Sequence, residues 1–514
     1  MSRRGLPRLA ALASVAALAI AACGNGNITP APSVAPTTLP SASPTAAPSA
    51  SPTADPCTPG LQPTPGGKSS SGRIIQVGEK PHTLVRWFVG LGPGEDPPQI
   101  ALLQTVVSNF NALQDKRTDG VEPILLSLEI VQHDTAVDIL RNEIGTCNAP
   151  DLIGPMDIGA RAGFPGEFVD LTPLIAAAGF GLSQYPANLL DAMKDGRTGA
   201  LLGLPYGVIP SVIFYNKDLF DRAGLKYPPQ KAGDPYTMPD GSKVPWNWDT
   251  VRAVAMKLSL DTNGKNATQA GFDPTKQAQF GFEFQAADGL AVAKAFGSGS
   301  FLGSDGKTAQ FPDAWKAAWT WYYDGIWNDH FIASDSELGS VAPGGSDPVM
   351  FCCHWSGAHA ANDKLKRWDI AVMPANAQGV INAPLDIETF AIDRNTTVAQ
   401  RAFEAMTYVM TRSDLLAMFG ASPYSGDQIA FYHANVDPQL AQQPPGNKVN
   451  WQVAIDMERF ADIDNHATDI PNYARARDDY SRVFSTLATT EGLNMDMLFS
   501  AVTVELQADF DAAP

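Results

Sequence analysis

Apolar residues follow three regimes along this chain. Residues 9–22 form one continuous, uncharged apolar run. Residues 24–72 show no hydrophobic periodicity at all. From about Arg73 onward, apolar positions recur at the spacings of strands and helices. The stretch 84–89 reads as a strand and runs into a loop through Gly90, Gly92 and Gly94. Ile100, Leu103, Val106, Val107, Phe110 and Leu113 then share a helix face, 125–131 is a second buried strand and 151–153 a short third. Strand, helix and strand in this order predict parallel α/β construction.

The alternation continues through the middle of the chain. Residues 211–215 form a strand, after which Asn216 caps a short helix that Gly224 stops. Asp249 precedes the stripe Val251, Val254, Ala255 and Leu258. Pro312 suits the first turn of a helix whose stripe is Trp315, Ala318, Trp319, Tyr322 and Ile326, which marks those aromatics as core. Trp321 and Tyr323 lie off that stripe and have no assigned place. Residues 368–373 and 389–392 read as strands, and Ala402, Phe403, Met406, Val409 and Met410 as another helix face. After Asp469 the pattern is largely helical, and no internal repeat is visible.

Composition explains the first two regimes. The apolar run 9–22 follows Arg3, Arg4 and Arg8. It is too short to span ~30 Å of hydrocarbon, which takes ~20 residues, so 1–22 reads as an export signal. It ends in Ile20-Ala21-Ala22-Cys23-Gly24, which resembles the bacterial lipobox, where cleavage precedes a cysteine that is then lipidated. Eleven of the 41 prolines fall between Pro30 and Pro65, with a four-residue spacing from Pro32 to Pro56 that prevents both helix and sheet. Residues 23–72 are therefore a lipidated Cys23 followed by a disordered tether, able to reach on the order of 100 Å at ~3.1 Å per residue. No other stretch predicts a transmembrane helix.

The chain has 514 residues, 36 Lys+Arg against 54 Asp+Glu and a net charge of −18. Removing the signal removes three positive charges, giving −18 − 3 = −21. That balance excludes a non-specific nucleic-acid binder and an anionic membrane surface as electrostatic partners. No phosphate-binding glycine loop, zinc motif or nucleophile elbow is present, and the spacing of His354 and His359 does not put both rings on one helix face. No metal site or cofactor is predicted. The segment Asp261-Thr262-Asn263-Gly264-Lys265-Asn266 lacks the full calcium-loop spacing and reads as a turn. Cys57, Cys147, Cys352 and Cys353 allow three pairings, among them Cys147 with one of the adjacent pair, or a vicinal bond.

Several segments together resemble the extracellular solute-binding proteins of ABC importers, the carbohydrate-binding family that includes maltose-binding protein. Gly203-Leu204-Pro205-Tyr206-Gly207, continuing through Tyr215-Asn216-Lys217-Asp218-Leu219-Phe220, is similar to the family's crossover between lobes. Ala149-Pro150-Asp151-Leu152-Ile153, Trp248-Asp249, Gly297-Ser298-Gly299 with Asp305-Gly306-Lys307, Val349-Met350 with Trp355, Met373-Pro374, Thr389-Phe390-Ala391-Ile392 and Ile470-Pro471-Asn472 follow in family order. The resemblance implies a two-lobed, type II periplasmic-binding-protein-like α/β fold with a cleft between lobes joined by hinge strands. The first hinge is expected near 206–211 and the second near 383–388. Lobe 1 is expected over 80–205 plus 386–432, and lobe 2 over 211–384 plus 433–514.

The implied function is capture of a sugar, oligosaccharide or polyol, without chemical change, for a membrane permease. The implied protein is an extracytoplasmic monomer anchored through Cys23. Alternatives are a polyamine or ferric ion on the same fold, or an exported carbohydrate-active enzyme. The last would need two fixed carboxylates, and nothing in the sequence marks either as a raised-pKa acid.

Candidate ligand contacts follow from position and resemblance. Trp87 ends the first strand, where open α/β sheets present ligands, or else is core beneath the glycine loop. Asp157 ends the third strand as a hydroxyl acceptor or as a helix cap. Tyr206 lies in the hinge motif as a cleft aromatic or as hinge packing. Asp386 and Glu388 share one strand face, towards the cleft or towards solvent, with Ile387 on the other. Trp355 resembles the family's stacking tryptophan. Gly297 and Ser298 are lesser candidates.

Overall fold

The computed structural model describes residues 74–77, 80–196, 198–284, 288–297, 299–334, 336–337, 349–353, 367–419, 421–423, 428–437, 448–462, 466 and 470–512. The signal, Cys23, the tether, Cys57, Ser298 and Trp355 lie outside these residues. In the first half the main elements are β1 (Ile74–Val77), β2 (Lys80–Val89), α1 (Pro97–Gln114), β3 (Ile124–Ile130), α2 (His133–Gly145), β4 (Leu152–Asp157), α3 (Thr172–Ala178), α4 (Ala187–Ala192), β5 (Leu204–Pro210), β6 (Val212–Asn216) and α5 (Lys217–Ala223). The second half adds α6 (Trp248–Leu258), β7 (Phe282–Phe284), α7 (Gly289–Lys294), α8 (Asp313–Trp327), β8 (Met350–Cys353), β9 (Trp368–Ala371) and β10 (Ala383–Ile392). It closes with α9 (Ala399–Met410), α10 (Ser413–Met418), β11 (Ala461–Asp462), α11 (Tyr473–Thr489) and α12 (Met495–Asp511).

Local chemistry sets many of these boundaries. Gln99 Oε1 accepts from the Gly94 amide at 2.8 Å and the Asp96 amide at 3.4 Å, fixing the entry to α1. Asn216 caps α5 by accepting from the amides of Asp218 and Leu219, and Gly224 ends it at φ 66°, as the residue pattern predicts. Pro312 stands one residue ahead of α8, at its N-cap. Asp261 accepts from the amides of Asn263, Lys265 and Asp273, so its carboxylate holds a turn.

The first sheet has the order β1-β2-β4-β10-β11, with β3 also on β2 and β5 on β10. β2 runs parallel to β3 and β4, whereas β10 runs antiparallel to β4 and β5. The strand–helix–strand units are parallel as expected, but the sheet is mixed. β10 arrives from the other lobe and needs no helical crossover of its own. The second sheet is β7-β8-β6-β9, with β8 and β9 both antiparallel to β6.

Only Ser211 separates β5 from β6, yet the two strands belong to different sheets. The chain returns between β9 and β10. Each sheet has its own core. Val85, Trp87, Leu126, Leu204, Ile387 and Phe403 pack on one face of the first sheet. Phe88, Leu140, Ile153 and Met156 pack on the other. Trp248, Phe282, Trp315, Trp319, Met350, Tyr480 and Phe499 build the core of the second lobe.

The unplaced aromatics of α8 are buried there too. Trp321 donates its indole N–H to the Trp248 carbonyl, and the Tyr323 hydroxyl accepts from the Leu493 amide. Tertiary packing thus covers α8 well beyond its predicted stripe. The vicinal alternative describes the adjacent cysteines: Cys352 and Cys353 are bonded to each other at the end of β8, so Cys147 is not bonded to either.

Candidate functional site

Three of the expected residues converge at the end of β4 nearest the lobe crossings. The β4–β10 register sets Glu388 opposite Asp157, and Asp386 lies two residues earlier along β10. Ile387 points the other way into the core and is fully buried. Asp157 is partly exposed and accepts from the Gly159 amide at 2.6 Å, capping the 3-10 helix Ile158–Gly163. Glu388 is buried against Gly92, where an added Cβ would stand 2.6 Å from its Oε2. That oxygen has no hydrogen-bond partner. Burial first, and then the neighbouring charges of Asp157 and Asp386, push the Glu388 carboxyl well above the usual range.

The second lobe supplies the countercharge. Lys294, the last residue of α7, is half-buried. Burial works against its charge, but Asp386, Asp157, Asp462 and Asp288 together outweigh it and raise its pKa. Asn382 donates to the Lys294 carbonyl and to Asp462 Oδ2. Burial alone would raise the Asp462 pKa, but a 2.7 Å hydrogen bond to His466, with help from Lys294, holds it below the usual value. Charged groups of both lobes therefore meet where the chain passes between them.

Beside this cluster lies a cavity of about 510 Å³. Its first-lobe wall comes from residues 161–166 and 194–196, and its second-lobe wall from 470 and 472–475. Arg161 lies in the wall, donating to the Ala192 and Met193 carbonyls at 2.8 Å. Its Nε is buried without a partner. Burial lowers the Arg161 pKa to about 10, against the pull of Asp157 and Asp195. Asp157 also acts electrostatically on Tyr473 in the cavity wall, joining the carboxylate cluster to it.

Three expected contacts are core residues instead. Trp87 is 0% exposed, donates its indole N–H to the Gly154 carbonyl at 2.6 Å and packs on Phe390. The sheet is covered on both faces at this position, so the strand-end tryptophan points into protein and not into the cleft. Tyr206 is 4% exposed, donates its hydroxyl to the Arg412 carbonyl and packs on Phe390 and Phe419. Gly297 is buried in the second lobe, where its carbonyl accepts from Trp315 and an added Cβ would meet Ala314 at 2.8 Å. Lys294, Arg161 and Arg475 escaped the sequence reading because nothing in their local spacing marks them. Only Asn472 carried a signal, as part of the Ile470-Pro471-Asn472 match.

The family profile described as bacterial extracellular solute-binding protein matches residues 110–428, more than half of the chain. A curated binding protein of Brucella abortus (strain 2308) is 27% identical over 140 residues, 26% of this chain and 28% of that protein. The match therefore spans little more than a quarter of the relative's length. Among solved structures, an ABC substrate-binding protein of Listeria monocytogenes in complex with cycloalternan aligns at TM-score 0.61 and 16% identity, covering 83% of this chain and 98% of that one. Maltose-bound MalE3 of T. maritima aligns at 0.57 and 17%, covering 83% and 99%. UgpB of Mycobacterium tuberculosis in complex with glycerophosphocholine aligns at 0.58 and 16%, covering 83% and 98%. These likenesses establish the two-lobed fold, and with the profile match they show that the chain belongs to the bacterial extracellular solute-binding protein family.

Proposed function

We propose that this protein captures a carbohydrate or related polyol between its lobes and delivers it, chemically unchanged, to an ABC permease. The observation that carries the reading is a cavity, with apolar and charged side chains in its wall, shared by two separately cored lobes that meet through crossing strands. A solute touching both walls favours the closed arrangement by its differential affinity. Structural relatives that hold cycloalternan or maltose support a carbohydrate as that solute. Asp157 and Asp386 are proposed as acceptors for ligand hydroxyls, with Glu388 as a buried acid behind them. Trp355 is proposed to stack on the sugar, which rests on the family resemblance alone. The protein works as a monomer on the outer face of the membrane, held through lipidated Cys23 with the tether as spacer.

Thermal unfolding against a panel of sugars, polyols, polyamines and ferric ion tests the reading. A carbohydrate at 100 times its Kd stabilises the chain by ~2.7 kcal/mol. Trp355→Ala removes that shift while leaving ligand-free unfolding in place. A shift with iron or a polyamine, and none with any carbohydrate, overturns the assignment.

A further inference from the structure

We propose that the cleft is built for an anionic solute, a sugar or polyol carrying a phosphate ester or a carboxylate, with the charged group seated between the N-terminus of α11 and Arg161. This specifies the ligand class of the binding reading above and rests on it.

The first observation is the sign of the charge. Among the described residues the cavity is lined by Arg141, Arg161, Lys194 and Arg475 against one carboxylate, that of Asp195. The chain as a whole carries −18, so this cationic wall runs against its composition. A concave, locally positive surface on an acidic protein concentrates anions within it. Not all of these charges are neutralised internally. Among the described residues Arg161 makes no ion pair and leaves its Nε buried without a partner. Lys194 is paired with Asp191 at 2.7 Å, whereas Arg141 comes no nearer than 3.8 Å to Asp138, and Arg475 no nearer than 3.4 Å to Asp509.

The second observation is backbone. α11 is a 17-residue helix whose first residues, Tyr473, Ala474 and Arg475, line the cavity. The first N–H groups of a helix have no partner inside it and carry the positive end of the helix dipole. An asparagine at the N-cap ordinarily accepts from one of them. Asn472 does not: its side chain instead donates to the Asp509 and Ala512 carbonyls, and no side chain caps the helix. The Tyr473 and Ala474 end of the helix and the Arg161 side chain, whose Nε alone lacks a partner, thus line one cavity, an arrangement suited to a bound oxyanion. Asp157, outside the lining but acting electrostatically on Arg161 and Tyr473 within it, is placed to accept from ligand hydroxyls beside the anion seat, so a polyol with one anionic end suits the site.

The test is calorimetric titration of the full-length chain with matched pairs: glucose against glucose 6-phosphate and glucuronate, and glycerol against glycerol 3-phosphate, with inorganic phosphate alone as a further arm. The anionic member of at least one pair binds about tenfold tighter or better, and the margin narrows as salt rises. Arg475→Gln and Arg141→Gln, on exposed or half-exposed side chains, reduce the margin several-fold without moving the neutral member. Arg161→Gln does the same wherever it folds. The phosphate and carboxylate arms tell which anion is read. Equal affinity within every pair, or a margin untouched by Arg475→Gln, overturns this inference and leaves the carbohydrate reading standing. Inorganic phosphate binding as tightly as any sugar phosphate supports the anion site and overturns the carbohydrate reading.

Discussion

Asp393 shows what burial does to one side chain. It is 0% exposed, accepts from the Asn395 amide at 2.8 Å and leaves Oδ2 without a partner. Burial first, then Glu167 and Asp151, push its carboxyl from 3.8 up to about 7, against the Asn395 amide and Arg394. The folded state therefore keeps a proton that the unfolded chain has released. Stability is full below pH 3.8 as far as this group is concerned, falls as pH rises towards about 7, and stays reduced above it. The upper bound on that loss is on the order of 4 kcal/mol. Asp393→Asn retains the acceptor and removes the charge, so the variant is more stable than the parent at pH 8 and matches it near pH 4. Urea unfolding across that range checks this, and an identical pH slope in both proteins counts against it. Glu388 contributes with the same sign. None of this is legible in the sequence, because an aspartate just past a strand reads equally as a solvated turn residue. Trp87 carries the same ambiguity, since only the layer covering β2 decides between core and cleft.

At the level of elements, periodicity located helices better than it described their surroundings. α8 follows its predicted stripe, yet Trp321 and Tyr323 are buried as well because neighbouring elements enclose the helix. β10 extends over ten residues, joining the predicted strand 389–392 and the expected hinge near 383–388 into one paired strand, although Asp386 and Glu388 interrupt its apolar pattern. Close packing between elements leaves little room for change. A Cβ added at Gly281 would stand 2.0 Å from the Ala255 carbonyl oxygen at the end of α6, a backbone atom that cannot swing aside. Gly281→Ala is expected to destabilise the second lobe by ~1–3 kcal/mol. Gly181→Ala, with nothing within 4 Å, is expected to be near neutral. Comparing their melting temperatures checks the pair, and equal values would contradict the packing described.

At the scale of the whole molecule, two cores joined by short crossings make relative motion of the lobes the natural response to ligand. Saturation with the solute identified by thermal screening is expected to lower the radius of gyration in small-angle scattering, and an unchanged value would mean that the lobes do not close. The Lys294 cluster draws on both lobes, so its charges shape that equilibrium at the crossings themselves. By itself, the amino-acid sequence determined the α/β alternation, the ordered motifs of the family and the chemistry of the crossover, because caps, turns and apolar periods act over a few residues. Only the tertiary structure decided that β10 pairs antiparallel to β4 and β5, that Trp87 and Tyr206 belong to the core, and that Arg161 and Arg475 line one cavity from opposite lobes. Those outcomes depend on which surfaces cover one another across hundreds of residues, and local pattern carries no record of that.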